Sequence, residues 1–289
     1  YSINNTTQNA IVQNSAPSIE TIITSTTSLG QKTATVNLIE SSTRTLFVWG
    51  IVSDQNGCED IVSARRGDVV LYKSSVLGAL NCSIHNATCY RSTNISLSGC
   101  TGPGDLTAQF SFSIPLYFYA EATDAGSANG ATDWTSYVNI YDMSSAKGSN
   151  NDHFELESLV ALTTQNLFDF GALSLGEISS AITLPVVNTG NTLIDIDIKP
   201  NDNFICSGKN SAVLQASSLR ISTLPAFDYT SQGIALDKNN PKRISFSLPS
   251  QTTTSTPSQK NIYIKLHIPN NLDIYVTCQT IINFTAIPL

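Results

Sequence analysis

Charge is scarce in this sequence. Asp, Glu, Lys and Arg make up 13% of 289 residues, about half the share usual in soluble chains. Basic residues are the scarcer sign, 15 Lys plus Arg against 22 Asp plus Glu, for a net charge of −7. A phosphate-backbone binder needs a basic surface, so nucleic acid is not expected as a partner. No apolar run approaches the ~18 residues of a membrane-crossing helix, so no span is expected. Histidine occurs only as His85, His153 and His267. No G-x-S-x-G, H-E-x-x-H or phosphate-binding glycine loop accompanies them. A hydrolytic triad needs a nucleophile, a base and an orienting group, and the chain is expected to be non-catalytic. Methionine occurs once, at Met143, while the sequence opens on Tyr1. Translation starts with Met, so a secreted, extracellular protein is expected, its signal peptide already cleaved.

Helix is scarce as well. No window of a dozen residues carries a helical apolar stripe, and strong helix formers are few. The apolar residues, 41% of the chain, recur with period two instead. Phe110 and Phe112 alternate with Ser111 and Ser113. Ile194, Ile196 and Ile198 alternate with Asp195 and Asp197. Ile262, Ile264, Leu266 and Ile268 alternate with Tyr263, Lys265 and His267, and Ile282, Phe284 and Ala286 with Asn283 and Thr285. Such runs are strands with one face in a core and one in water. Many short strands between Asn, Gly and Pro turns predict β-sandwiches. Trp49 and Trp134 are expected to fill the first core.

The polar run Ser144–Asp152 reads as a seam. The expected organisation is all-β: an arm over 1–16, then two tandem Ig-like sandwiches over 17–150 and 151–289. The tract Gln251–Ser258 lies between two strand patterns and reads as a long hairpin tip. In the arm, Tyr1, Ile3 and Ile11 share one face of an extended strand with Asn5, Thr7 and Asn9. Such a strand has few core residues of its own.

Six cysteines in an exported chain read as disulfides. Cys206 and Cys278 form the simplest pair in the second half. Cys58, Cys82, Cys89 and Cys100 allow three pairings. Their spacings are too wide for the close pairs of a structural zinc site. Asn-X-Ser/Thr triplets occur at Asn4, Asn5, Asn81, Asn86, Asn94 and Asn283, and N-linked glycans are expected on Asn5, Asn81, Asn86, Asn94 and Asn283. The loop around Asn56-Gly57 brings together Asp54, Asn56 and Asp60. Oxygen ligands around a glycine turn are what calcium prefers. No other cofactor is expected.

Two stretches carry a resemblance. Phe168-Asp169-Phe170-Gly171, Gly176 and Val187-Asn188-Thr189-Gly190-Asn191 resemble the pattern of Ig-like repeats in surface proteins of archaea and little-cultured bacterial phyla. Tyr263–Pro269 and Ile282–Ala286 match the end of the same repeat. Val52–Ile61, with Tyr119, Thr123-Asp124 and Trp134, is similar to a partner domain in such proteins. The resemblance implies fibre, adhesin or surface-layer subunits without catalysis. The arm adds a mechanism: a strand of one copy completing a sandwich of the next, head to tail, in a pilus-like filament. The competing expectation is an adhesin or surface-layer module that binds carbohydrate or protein through the loop over 76–106.

Overall fold

The fold is described from a computed structural model, over residues 13–76, 81–82, 86–102, 104–207, 213–272 and 277–289. It is all-β, and it divides into two compact units. Unit 1 takes the chain up to Val36, Arg44–Leu116 and Ala131–Leu156; unit 2 takes Asn37–Thr43, Tyr117–Gly130 and Glu157–Leu289.

The first nine strands are β1 (Ser18–Ser25), β2 (Thr35–Val36), β3 (Thr43–Ser53), β4 (Arg66–Lys73), β5 (Cys89–Ser92), β6 (Ser96–Ser98), β7 (Thr107–Tyr117), β8 (Trp134–Tyr141) and β9 (Lys147–Leu156). They form two sheets, ordered β1-β3-β7-β6 and β2-β9-β8-β4-β5. Alternation places Leu46, Val48 and Val52 of β3, and Phe110, Phe112, Ile114 and Leu116 of β7, in the core. Trp134 is fully buried between Tyr90 and Phe154, with ring centroids 5.9 and 6.2 Å away. Trp49 departs from expectation. It falls on the opposite parity of β3 from Leu46 and Val48 and is only half-buried. Its indole N–H donates to the Gly30 carbonyl at 3.0 Å. One short helix, α1 (Cys58–Ala64), follows β3 and buries Cys58 and Ile61, an i, i+3 pair.

The expected seam is built differently. Residues 142–146 form a turn, and β9 pairs with β8 from Lys147 to Phe154. The polar composition of β9 serves a neighbour. Buried Asp152 accepts the Thr24 backbone N–H at 3.0 Å, and Asn150 donates to the Ile19 carbonyl at 3.0 Å. Gly148 lies so close that an added Cβ would sit 2.2 Å from the Pro17 carbonyl oxygen. Polar side chains here satisfy the backbone of edge strand β1.

Unit 2 carries β10 (Leu162–Thr164), β11 (Ile182–Asn188), β12 (Ile194–Pro200), β13 (Ile205–Cys206), β14 (Leu219–Ser222), β15 (Ile234–Ala235), β16 (Lys242–Leu248), β17 (Gln259–Leu266), β18 (Cys278–Gln279) and β19 (Ile282–Pro288). The sheets run β10-β11-β17-β14-β15 and β16-β12-β19, with β13-β18 as a two-stranded extension. Leu184, Val186, Ile194, Ile196, Ile198, Leu219, Ile221, Ile262 and Ile264 are fully buried in one core. Each such side chain contributes roughly 1.5–3 kcal/mol relative to exposure. The tract after β16 is not a hairpin tip, because β16 and β17 belong to different sheets. Residues 249–258 cross between them. In Asn188-Thr189-Gly190-Asn191 the glycine is needed for a close approach, not a left-handed turn. A Cβ on Gly190 would lie 2.0 Å from the Leu159 carbonyl oxygen. Buried Asn188 donates to the carbonyls of Thr192, Leu248 and Pro249 and accepts the Gly190 N–H, so one side chain closes the reversal.

Candidate functional site

A strand at a sheet edge offers unpaired backbone groups to another chain, and proteins usually blunt such edges. In unit 1, β1 is sealed by Asp152 and Asn150, while β5 and β6 span four and three residues. In unit 2, β10 and β15 are three and two residues long. The long edges of unit 2 are β16 and β19. On β16 the Lys260 ammonium donates to the carbonyls of Phe246 and Ser247. Ser247 has φ 43° and its N–H bonds to Asp195 Oδ1 at 2.9 Å, beside a register shift. That edge is closed by a charge and an irregularity.

β19 has neither device. Its inner side pairs with β12 from Ile194↔Pro288 to Pro200↔Ile282. The same ladder continues through Asn201 N–H to the Ile281 carbonyl and Leu289 N–H to the Leu193 carbonyl. Bonding alternates along an antiparallel pair, so odd-numbered residues of β19 turn their backbone groups toward β12. The even-numbered ones turn theirs outward. Ile282, Phe284 and Ala286 therefore hold their N–H groups on the open edge, and Pro288, on the same parity, has none to offer. Their side chains are half-buried against the unit 2 core, with Phe168, Phe170 and Leu173 also only partly covered there. Among the described residues, no side chain bonds to the outer edge of β19.

A second cluster lies in unit 1. Asp54 directly follows β3, Asp60 is on α1 and Asp142 directly follows β8. One carboxylate oxygen from each lies within 4.8 Å of the others. Asp54 and Asp142 are buried. Burial pushes the Asp54 carboxyl above its ordinary range, the Asn56 N–H at 2.8 Å opposes this, and the Asp60 and Asp142 charges add to it. Asn56, expected as a ligand, turns away instead. Its Oδ1 accepts the Ser15 N–H at 2.7 Å and its Nδ2 donates to the Gln13 carbonyl at 3.4 Å. The sequence reading missed Asp142, which lies far from the loop and reaches it only through the β8 pairing.

A pocket of about 250 Å³ in unit 2 is lined by Ser41, Thr43, Tyr117, Tyr119, Gln251 and Thr254 among others. Tyr117 and Tyr119 stack with ring centroids 5.3 Å apart. The Tyr119 hydroxyl is buried without a hydrogen-bond partner. Burial pushes its pKa from 10.0 up to about 12, with Tyr117 adding to the shift. A raised folded pKa means stability present below pH 10 and lost as pH rises toward 12. Tyr119→Phe removes an unsatisfied hydroxyl, so it is expected to gain about 1 kcal/mol at pH 7 and to lose less between pH 10 and 12. Thermal melts across that range check both; a lower neutral melting temperature would mean the hydroxyl has a partner.

The cysteines are paired as Cys58–Cys100, Cys82–Cys89 and Cys206–Cys278. No cysteine is free, the chemistry of an oxidising compartment. Among the described residues no helix is long and apolar enough to cross a membrane. Asn81, Asn94 and Asn283 are exposed, and Asn86 is half-buried with its Oδ1 accepting from Thr88. Tyr1, Ile3, Ile11, Asn4, Asn5 and His85 lie outside the described residues. His153 contacts Asp133 at 2.9 Å and Thr135 at 3.3 Å, but both through Nδ1. A triad needs its base to use its two ring nitrogens for the two partners; here both partners meet the same nitrogen. His267 packs against the Tyr229 ring.

No protein-family model and no curated protein sequence matches the chain. Solved structures share its β-rich fold at low similarity. One, from a chaperone–tip adhesin complex of CFA/I fimbriae biogenesis, is 11% identical, with a TM-score of 0.31 over 87% of this chain and 76% of its own. The CsuC–CsuE chaperone–tip adhesion subunit complex of archaic Csu pili of Acinetobacter baumannii gives 8% identity and a TM-score of 0.33, over 87% of this chain and 96% of its own. The adhesin InvE of Yersinia pseudotuberculosis gives 10% and 0.24, over 92% and 55%.

Proposed function

We propose that this chain is a non-catalytic structural subunit of an extracellular, pilus-like filament assembled by donor-strand complementation. The observation that carries the reading is the open edge of β19, a seven-residue edge strand whose outer side no described side chain closes. The segment over 1–16 of one copy is the donor. It lies along β19 of the next copy, where the outward N–H groups of Ile282, Phe284 and Ala286 donate to its carbonyls. Tyr1, Ile3 and Ile11 lie over the partly covered apolar residues of the unit 2 core. Main-chain bonds supply affinity and alternate side chains supply register. A head-to-tail contact of this kind does not close on itself, so it propagates. Glycans on Asn5, Asn81, Asn86, Asn94 and Asn283 coat the outside.

Negative-stain electron microscopy of the full chain beside a form lacking residues 1–15 tests this. Long fibres that vanish on truncation, with both units still folded, support the donor role. Single particles from the full chain overturn the filament and favour the adhesin reading. Fibres that persist after truncation overturn the role of the arm.

A further inference from the structure

Asp54, Asp60 and Asp142 are far apart in sequence, and two of the three are almost wholly buried, with 1% and 0% exposure for Asp54 and Asp142. Their hydrogen bonds can be counted oxygen by oxygen. Asp54 Oδ1 accepts the Asn56 N–H at 2.8 Å. Asp60 Oδ1 accepts the Met143 N–H at 3.1 Å. Asp142 Oδ1 accepts the Ala146 N–H at 2.8 Å, and its Oδ2 accepts from Asn14 Nδ2 at 2.7 Å. Asp54 Oδ2 is left buried with no donor at all. Among the described residues no Lys, Arg or His pairs with any of the three.

Each of those donors is a neutral amide. Three carboxylates within 4.8 Å repel one another strongly where water is excluded, and neutral amides do not cancel that charge. An orphaned, buried oxygen beside two further carboxylates needs a positive partner. We propose that Asp54, Asp60 and Asp142 bind one calcium ion. The donor set is oxygen only, without His or Cys, which selects a hard cation over zinc or copper. Calcium holds its oxygens at about 2.3–2.6 Å, so oxygens on opposite sides of the ion stand up to ~5 Å apart. The spacing found here fits within that shell. Magnesium, at about 2.0–2.1 Å and strictly octahedral, needs a tighter cage. Calcium's remaining positions go to water or backbone carbonyls, as is usual for this ion. By fixing the Asp142 carboxylate, the ion also fixes the acceptor to which Asn14 is tied, and with it the root of the N-terminal segment.

The test compares the full chain with Asp54→Asn and Asp60→Asn by titration calorimetry with calcium chloride and by thermal melts in calcium or chelator. The parent is expected to bind one calcium per chain and to melt several degrees higher at saturating calcium than in chelator. Each variant is expected to lose the calcium response and to melt at or above the parent in chelator, because one repelling charge is gone. Asp54→Asn keeps the oxygen that accepts from Asn56, so the turn itself is preserved. A merely structural role predicts the opposite sign, a lower melting temperature in both media with any calcium shift retained. That result, or a parent that shows no binding heat and no shift at 10 mM calcium (about tenfold the weakest extracellular sites), overturns the proposal.

Discussion

Ala286→Pro is expected to stop fibre growth while leaving unit 2 folded. The Ala286 N–H lies on the open edge of β19, so proline deletes a group that bonds to nothing among the described residues. Proline is tolerated on strand edges for that reason. Its ring would stand where an incoming strand must bring a carbonyl. The neighbouring Thr285→Pro is the control of opposite character. Thr285 pairs with Asp197 and turns its backbone groups toward β12, so proline there breaks a ladder bond and is expected to cost about 3 kcal/mol, by analogy with a lost helix bond. Fibre length by electron microscopy and unit 2 melting separate the two. Ala286→Pro protein that assembles like the parent would move the acceptor away from β19.

Loss of the Cys206–Cys278 bond, by serine at both positions, is expected to cost unit 2 about 4 kcal/mol through the freed entropy of the unfolded chain. The estimate follows from the sequence separation of 72 residues, which makes this the longest loop that any disulfide here closes. Whole domains are stable by only about 5–15 kcal/mol, so the effect is large. The bond also joins β13 to β18 in register, directly after β12 and directly before β19. It therefore pins the base of the open edge. Both tryptophans belong to unit 1. Tryptophan fluorescence should report an unchanged transition, while far-ultraviolet dichroism in denaturant should show unit 2 unfolding earlier. A loss below about 1 kcal/mol would mean that the reduced unfolded chain already keeps these ends close.

Period-two alternation locates β7, β17 and β19 within a few residues, because each turns one face toward a core. It failed where polar residues do a strand's work. Lys147–Asp152 looks like a linker because Ser, Asn and Asp predominate, yet Asp152 and Asn150 are the backbone partners of β1. Composition does not distinguish a solvated turn from a strand that seals its neighbour. The two-residue strands β13 and β18 carry no periodic signal at all. Leu219-Arg220-Ile221 did carry one, and β14 could have been read from it. The acidic site was half legible. Asp54 and Asp60 share a loop, but Asp142 joins them only through the register of β8 with its neighbours. Asn56, close in sequence, is not part of the cluster because Ser15 and Gln13 hold its side chain.

The three-stranded sheet β16-β12-β19 has one closed long edge and one open one, and this asymmetry sets a valence. In the proposed filament, Lys260 and the irregularity of β16 leave each copy a single acceptor for its single arm. In the language of polymer chemistry the subunit is an A–B monomer. Such monomers make unbranched chains with two chemically different ends and never a network. Their length is governed by the ratio of acceptors to donors, so a free peptide of residues 1–15 acts as a chain stopper. On that proposal, opening the β16 edge as well would give each copy two acceptors for its one arm, and the threads would branch.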